Sequence, residues 1–240
     1  MTKEILYFPT MNIAVVLAGG TGTRVGADKP KQFVEIEGRS VIERCIDAFD
    51  CAEMIDEVAV VVHPDWMEHM RQIVLKNKWK RVTKLIDGGS ERYMSSLNAI
   101  DAYIDYPDDT NLLLHDAARP WVSQKVIGRV VEALNHFEAV GVAIPSTDTV
   151  WEVFQTFDSQ LSKIVTRIPE RNTMWRAQTP QAFRLPLIRD AYQCALQDPN
   201  FRATDDCGVV KRYMPAVKIH IVEGEEQNRK ITFKEDLTCK

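Results

Sequence analysis

Three clusters in this 240-residue chain carry side chains suited to handling phosphate. The first is Leu17-Ala18-Gly19-Gly20-Thr21-Gly22-Thr23-Arg24, with Lys29 and Lys31 close behind. Glycines let backbone N–H groups close on a ligand without interference from Cβ, and successive N–H groups form an anion-binding concavity. The spacing excludes two common motifs. A dinucleotide fingerprint through Gly20 and Gly22 would need Gly or Ala where Val25 stands, and no Gly-Lys-Ser/Thr follows for a P-loop. The cations add charge to a polyphosphate cradle, although Arg24 and Lys31 on a solvated loop face is the plainer alternative. The second cluster is Gly88-Gly89-Ser90-Glu91-Arg92, and the third is His115-Asp116-Ala117-Ala118-Arg119-Pro120.

Asp116 ends an apolar run, Leu112-Leu113-Leu114, where a carboxylate needs a partner. Mg²⁺, a sugar hydroxyl or an arginine would serve, and Arg119 is the nearest candidate in sequence. His115 is either a base or a strand-end histidine bonded to backbone. No nucleophile–base pair stands out, and phosphate attacking phosphate needs none. A phosphomonoester with its second pKa near about 6 is already mostly dianionic at neutral pH.

The elements that must position these clusters follow from periodicity. Ile13 to Leu17 is a buried strand. Ser40 caps a helix with Val41, Ile42, Cys45, Ile46 and Phe49 on one face. Val58–Val62 is a strand buried on both faces, followed by a helix over Asp65–Leu75 with Trp66, Met67, Met70 and Val74 inward. A strand over Val82–Ile86, a helix over Glu91–Ile104, a strand over Asn111–Asp116, a helix through Val126–Phe137 and a strand over Val140–Ile144 complete the alternation. This pattern predicts a doubly wound, mostly parallel α/β sheet of Rossmann-like type. All three clusters then fall at the carboxyl ends of strands, where such sheets bind ligands.

The rhythm changes over Pro145–Pro169, where strand formers flank a polar turn near Asp158-Ser159-Gln160. This is a β-hairpin arm, about residues 146–172, inserted between sheet strands. Its exposed edges call for a cover, so a homodimer is expected. A strand over Ala177–Phe183, a helix over Leu185–Leu196, a helix capped at Thr204-Asp205-Asp206, a strand over Val217–Val222 and a short strand at Lys230–Thr232 follow. Residues 12–240 read as one domain behind a leader of residues 1–11.

Composition narrows the function. A net charge of −4 argues against general nucleic-acid binding, and no apolar run approaches the ~20 residues of a membrane span. The first ten residues lack the h-region of a signal peptide. Five cysteines without CxxC spacing argue against a disulfide framework or zinc site, and a cytoplasmic protein is expected.

Further motifs join the three clusters: Lys29-Pro30-Lys31-Gln32-Phe33, Asp148-Thr149, Arg171, Gln178-Thr179-Pro180-Gln181-x-Phe183, Thr204-Asp205-Asp206 and Asn228-x-Lys230-Ile231-Thr232. Together and in this order they resemble the polyol-phosphate cytidylyltransferase family, which includes the D-ribitol 5-phosphate and 2-C-methyl-D-erythritol 4-phosphate enzymes. The resemblance spans residues 12 to 237. It implies a nucleotide-diphospho-sugar transferase fold and CTP plus a polyol phosphate giving CDP-polyol and pyrophosphate, with Mg²⁺. It implies that the backbone of Ala18, Gly19, Gly20, Thr21 and Gly22 cradles CTP while Arg24 and Lys31 stabilise the α-phosphate. Gly89, Ser95, Arg92 and Asp116 join the CTP site. Arg119, Thr149, Arg171, Thr179 and Lys230 form the acceptor site, with Thr149 and Arg171 reaching a neighbouring subunit. Asp116, with Asp205 as a second candidate, stands beside the metal.

The acceptor divides the motifs. Leu-Ala-Gly-Gly-Thr-Gly-Thr-Arg, Asp65-Trp66 and Ile168-Pro169-Glu170-Arg171-Asn172 resemble the ribitol branch. His-Asp-Ala-Ala-Arg-Pro, Trp175 and Ala177–Phe183 resemble the methylerythritol branch, which commonly has lysine where Trp151 stands. The balance leans to D-ribitol 5-phosphate. Competing expectations are a sugar-1-phosphate nucleotidyltransferase, a glycosyltransferase, which would want an Asp-x-Asp that the third cluster lacks, and a non-catalytic nucleotide-binding protein. Relatives of this kind run further past Glu235-Asp236-Leu237, so packing there is expected to differ.

Overall fold

The computed structural model describes residues 10–20, 29–155 and 163–237. The alternation of apolar runs and amphipathic stretches folds as read. Strand β1 (Asn12–Ala18) leads through the short pair β2 (Glu35–Ile36) and β3 (Arg39–Ser40) into helix α1 (Val41–Asp50). Ser40 caps α1 in a reciprocal box. Its hydroxyl accepts from the Glu43 backbone N–H, and the Glu43 carboxylate accepts from the Ser40 N–H. Then come β4 (Glu57–Val62), α2 (Met67–Asn77), β5 (Val82–Asp87), α3 (Arg92–Asp101), β6 (Asn111–Asp116), α4 (Gln124–Leu134) and β7 (Ala139–Pro145). The hairpin strands are β8 (Glu152–Gln155) and β9 (Lys163–Arg167). The chain returns through β10 (Trp175–Arg184), α5 (Leu185–Ala195), α6 (Asp206–Tyr213) and β11 (His220–Glu223).

Seven strands form one sheet in the order β11-β7-β10-β6-β1-β4-β5. Every neighbouring pair is parallel except those made by β10, which runs antiparallel to both β6 and β7. The sequence pattern could not show this reversal, because a strand buried on both faces reads the same in either direction. Strand β1 lies inside the sheet between β6 and β4, with Ala14, Val16 and Ala18 facing one apolar layer and Ile13, Val15 and Leu17 facing the other. Helices α1, α2 and α4 cover the first face, and α3, α5 and α6 the second. The chain winds from β1 to β4 on one side and returns to β6 on the other. This is a topological switch point, with a crevice at the carboxyl ends of β1 and β6.

Two local readings change, and a third falls outside the described residues. The helix expected from Asp65 begins with a 3-10 turn at Pro64–Trp66, and only Met70 of its expected inward residues is fully buried. Residues 230–232 form no strand; the Thr232 and Phe233 N–H groups instead donate to the Asp236 carboxylate. The polar turn of the hairpin, with Asp158-Ser159-Gln160, lies outside the described residues. Among the described residues strands β8 and β9 pair only with each other, and all of β9 is exposed. No helix among the described residues is long and apolar enough to cross a membrane.

Candidate active site

A cavity of about 350 Å³ opens at the carboxyl ends of β1 and β6. Ala18, Gly19, Gly20, Lys31, Gly89, Arg92, Ser95, Asp116 and Lys230 all line it, so the three clusters and Lys230 meet there. Its volume suits a small-molecule ligand. Thr21, Gly22 and Arg24, expected to complete the cradle, lie outside the described residues.

Two loops meet back to back beneath the cavity. A Cβ on Gly19 would stand 2.4 Å from Ser95 Oγ, and one on Gly88 would stand 2.7 Å from Gly19 Cα. Glycine is therefore required at both by close approach. Ser95 Oγ accepts from the Gly89 N–H at 3.1 Å, tying the start of α3 to the loop after β5. Gln32 holds the loop after β1. Its buried side-chain amide donates to the carbonyls of Ala18 (2.9 Å) and Gly20 (2.8 Å). The Lys31 ammonium donates to the Ile231 carbonyl at 2.8 Å while lining the cavity.

Asp116 is the charge centre of the floor. Arg92 Nε reaches Asp116 Oδ1 at 3.1 Å and Lys230 Nζ reaches Oδ2 at 2.7 Å. Burial alone would raise this carboxyl's pKa; Arg92, Lys230 and Arg119 outweigh it and hold the group well below the usual carboxylate range. Asp116 is thus an anion throughout the neutral range. Of the partners considered from sequence, an arginine is present, but it is Arg92 rather than Arg119. Arg119 instead donates to the carbonyls of Asn228 (2.8 Å) and Ala177 (3.1 Å).

His115 is fully buried and is the structural histidine of the two readings. A register shift in β10 between Gln178 and Gln181 brings Thr179 against it. The Asp116 N–H donates to Thr179 Oγ1 at 3.1 Å, so the hydroxyl proton goes to His115 Nδ1 at 3.1 Å. His115 Nε2–H then donates to the Arg119 carbonyl at 3.1 Å. Burial lowers the imidazole pKa to about 4, so it is neutral at pH 7 and serves to orient its neighbours.

The expected acceptor residues divide into two groups. Lys230 lines the cavity, with Thr179 and Arg119 immediately behind it. Thr149 and Arg171 are exposed on the arm side and do not line this cavity. Asp205 is the N-cap of α6. Its Oδ1 accepts from the Gly208 N–H (2.8 Å) and its Oδ2 from Gln181 Nε2 (2.7 Å), and it does not line the cavity. No three His, Cys, Asp or Glu side chains among the described residues gather as a metal cage. Mg²⁺ brought by a nucleotide needs only one or two carboxylates, with phosphate and water supplying the rest, and Asp116 fits that role.

Several contributors lay below the resolution of sequence reading. Gln32, Asn228 and Tyr192 hold loops or charges by one or two side-chain hydrogen bonds each, which leave no periodic trace. Asn228 Nδ2, for example, donates to the Thr179 carbonyl at 2.8 Å.

Comparison with known proteins agrees with this geometry. Residues 12–240 match the family described as IspD, 2-C-methyl-D-erythritol 4-phosphate cytidylyltransferase. A protein of that name from Thermobifida fusca is 45% identical over 224 residues, covering 93% of this chain and 89% of its own. The bifunctional ribulose 5-phosphate reductase/CDP-ribitol pyrophosphorylase Bcs1 of Haemophilus influenzae is 37% identical over 226 residues, 94% of this chain but 46% of its own length. Among solved structures, 4-diphosphocytidyl-2C-methyl-D-erythritol synthase from Anaerococcus prevotii aligns with a TM-score of 0.77 at 27% identity, covering 95% of this chain and 93% of that one.

Proposed function

The chain belongs to the 2-C-methyl-D-erythritol 4-phosphate cytidylyltransferase family, and from that premise we propose that it transfers CMP from CTP to the phosphate of 2-C-methyl-D-erythritol 4-phosphate. A cytidylyltransferase acting on a polyol phosphate is the common ground of its relatives. The observation that carries the reading is the convergence of Lys31, Arg92, Asp116 and Lys230 on one cavity beside a glycine cradle. The lean toward D-ribitol 5-phosphate finds less support: the relatives of higher identity bear the methylerythritol name, and the ribitol-related one is more distant.

In this reading an oxygen of the acceptor phosphate attacks the α-phosphorus of CTP. One P–O bond forms, the bond to the β-phosphate breaks, and pyrophosphate leaves. The attacking phosphate is already dianionic, so no side chain need remove a proton. The work of the site is alignment and charge neutralisation. Lys31, with Arg24, supplies positive charge to the α-phosphate. Lys230 holds the acceptor end, Thr179 and Arg119 support it, and Asp116 keeps Lys230 and Arg92 in place. Mg²⁺, when bound with CTP beside Asp116, neutralises phosphate charge further.

The same reading assigns the arm. Val153, Phe154, Ile164 and Val165 are exposed on a hairpin that pairs with no other strand among the described residues. A second copy covering it would hide these groups and bring Thr149 and Arg171 to the partner's cavity, since neither lines its own. A monomeric mass in solution at micromolar concentration would remove this part of the proposal. For the reaction, the purified protein is given CTP, Mg²⁺ and each polyol phosphate in turn, and the CDP-polyol is measured. Product with methylerythritol phosphate and little with ribitol 5-phosphate is expected. The reverse preference would move the assignment to the ribitol branch, and product with neither would end it.

A further inference from the structure

Behind the cavity floor the charges continue into the protein. Asp206, the first residue of α6, is completely buried. Its Oδ1 accepts from the Tyr192 hydroxyl at 2.7 Å, and its Oδ2 stands 2.8 Å from Arg92 Nη2. That last contact falls outside hydrogen-bond geometry, so the pair is held by charge. Arg92 therefore lies between two carboxylates, Asp116 at the cavity and Asp206 behind it, and both raise its pKa against the effect of burial.

Helix α6 has no need of this second carboxylate, because Asp205 already caps it. Arg92 could be neutralised by Asp116 alone. A guanidinium offered one carboxylate takes it bidentately, through two parallel bonds. Asp206 prevents this by holding Nη2 away, so that Arg92 meets Asp116 through Nε and leaves Oδ2 to Lys230. We propose that Asp206, anchored by Tyr192, is a positioning residue. It acts through Arg92 to keep Asp116 shared between Arg92 and Lys230, in the arrangement that receives the nucleotide. This rests on the reading of the cavity as the CTP site.

The test is a cycle of Asp206→Asn, Arg92→Met and the double variant, measuring CTP binding by calorimetry without acceptor, together with the melting midpoint. Asp206→Asn retains volume and an acceptor for Tyr192 but removes the charge facing Arg92. It should weaken CTP binding about tenfold, the scale of one charge-assisted contact. Added to Arg92→Met, it should change CTP binding less than about twofold, because the path through Arg92 is already gone. Wild-type CTP affinity in Asp206→Asn, with only a lowered midpoint, would reduce Asp206 to a packing role and overturn the proposal. So would losses that multiply in the double variant. If Asp206→Asn fails to fold, Tyr192→Phe decides: it loosens the anchor alone and should weaken CTP binding severalfold, whereas unchanged affinity would overturn the proposal. A wild-type protein that neither binds CTP nor turns it over would instead remove the cavity assignment itself.

Discussion

Two buried carboxylates at opposite ends of the sheet do different work. Glu57 opens β4 at the amino end of the strands, and Asp116 closes β6 at the carboxyl end. Each is nearly hidden, at 6% and 9% exposure, and each has a lysine beside it. Their other partners separate them. Glu57 is held by hydroxyls: Thr83, Tyr103 at 2.8 Å and Tyr106 at 3.1 Å, with Lys84 at 3.5 Å and stacked over both tyrosine rings. Asp116 is held by the cations Arg92 and Lys230, and both of these line a cavity. Neutral donors around a carboxylate close it off. Cations around one, next to open volume, leave charge that a phosphate ligand can recruit. Burial by itself therefore says little about function, and the chemistry of the partners says more.

The contrast can be broken most decisively at Asp116. Asp116→Asn keeps the shape but frees Lys230 and half of Arg92. CDP-polyol formation should fall by about 10² to 10³, the cost of losing one preorganised electrostatic group. The melting midpoint should move little, because Lys230 can turn to solvent and Asp206 still pairs Arg92. Glu57→Gln should do the reverse. It removes the charge from a set of hydroxyl donors and one lysine, at an expected cost of about 2 kcal/mol in stability measured by urea unfolding. Turnover per folded molecule should stay at the wild-type level. A large loss of turnover in Glu57→Gln would erase the distinction.

Acidification should separate the two ends by pH. His115, beside Asp116, has its folded pKa lowered to about 4 by burial, against a usual 6.5. The unfolded chain then binds the extra proton first, so this stabilisation is full above 6.5 and is lost as pH falls toward 4. Between pH 7 and 5.5 the loss should be about 1 kcal/mol in the unfolding free energy. Burial would raise the Glu57 carboxyl, but its hydroxyl donors and Lys84 outweigh this and lower it below the usual 4.5. Its contribution holds above that value and disappears only below it. His115→Gln should flatten the slope between pH 7 and 5.5, while Glu57→Gln should leave that slope intact.

The same contrast explains what was legible in the sequence. The sheet, its helices and the meeting of the three clusters could be read from periodicity, because apolar spacing is imposed by the layer each strand or helix packs against. The glycine cradle, Lys31 and Asp116 were legible because phosphate chemistry restricts residue types, and Lys230 was legible only through the family resemblance. Glu57 gave no signal, since an acid before Val-Ala-Val-Val-Val reads as a strand edge. Asp206 read only as part of a helix cap, and Arg92 as a ligand rather than as the link between two carboxylates. The antiparallel course of β10 was hidden because pairing direction is decided by neighbours distant in sequence. The pairing of Asp116 with Arg92, 24 residues away, was hidden for the same reason; proximity offered Arg119 as one alternative among several.

The finest test lies among the hydroxyls that hold Glu57. Tyr103 is fully buried and donates at 2.8 Å, whereas Tyr106 is half-buried and donates at 3.1 Å while also accepting from Lys84 at 2.9 Å. Removing the Tyr103 hydroxyl leaves a buried carboxylate short of a donor that water cannot easily replace. Removing that of Tyr106 leaves a gap nearer solvent. Tyr103→Phe should therefore cost about 1 to 1.5 kcal/mol and Tyr106→Phe about 0.5 kcal/mol, both by urea unfolding. Turnover should be unchanged in each, since the cluster sits at the far end of the strands from the cavity. Equal costs would mean that the two hydroxyls are interchangeable, and that Glu57 is held by the charge of Lys84 more than by its hydroxyl donors. That would bring it closer to Asp116 in kind, and the difference between the two ends would then rest on the cavity alone.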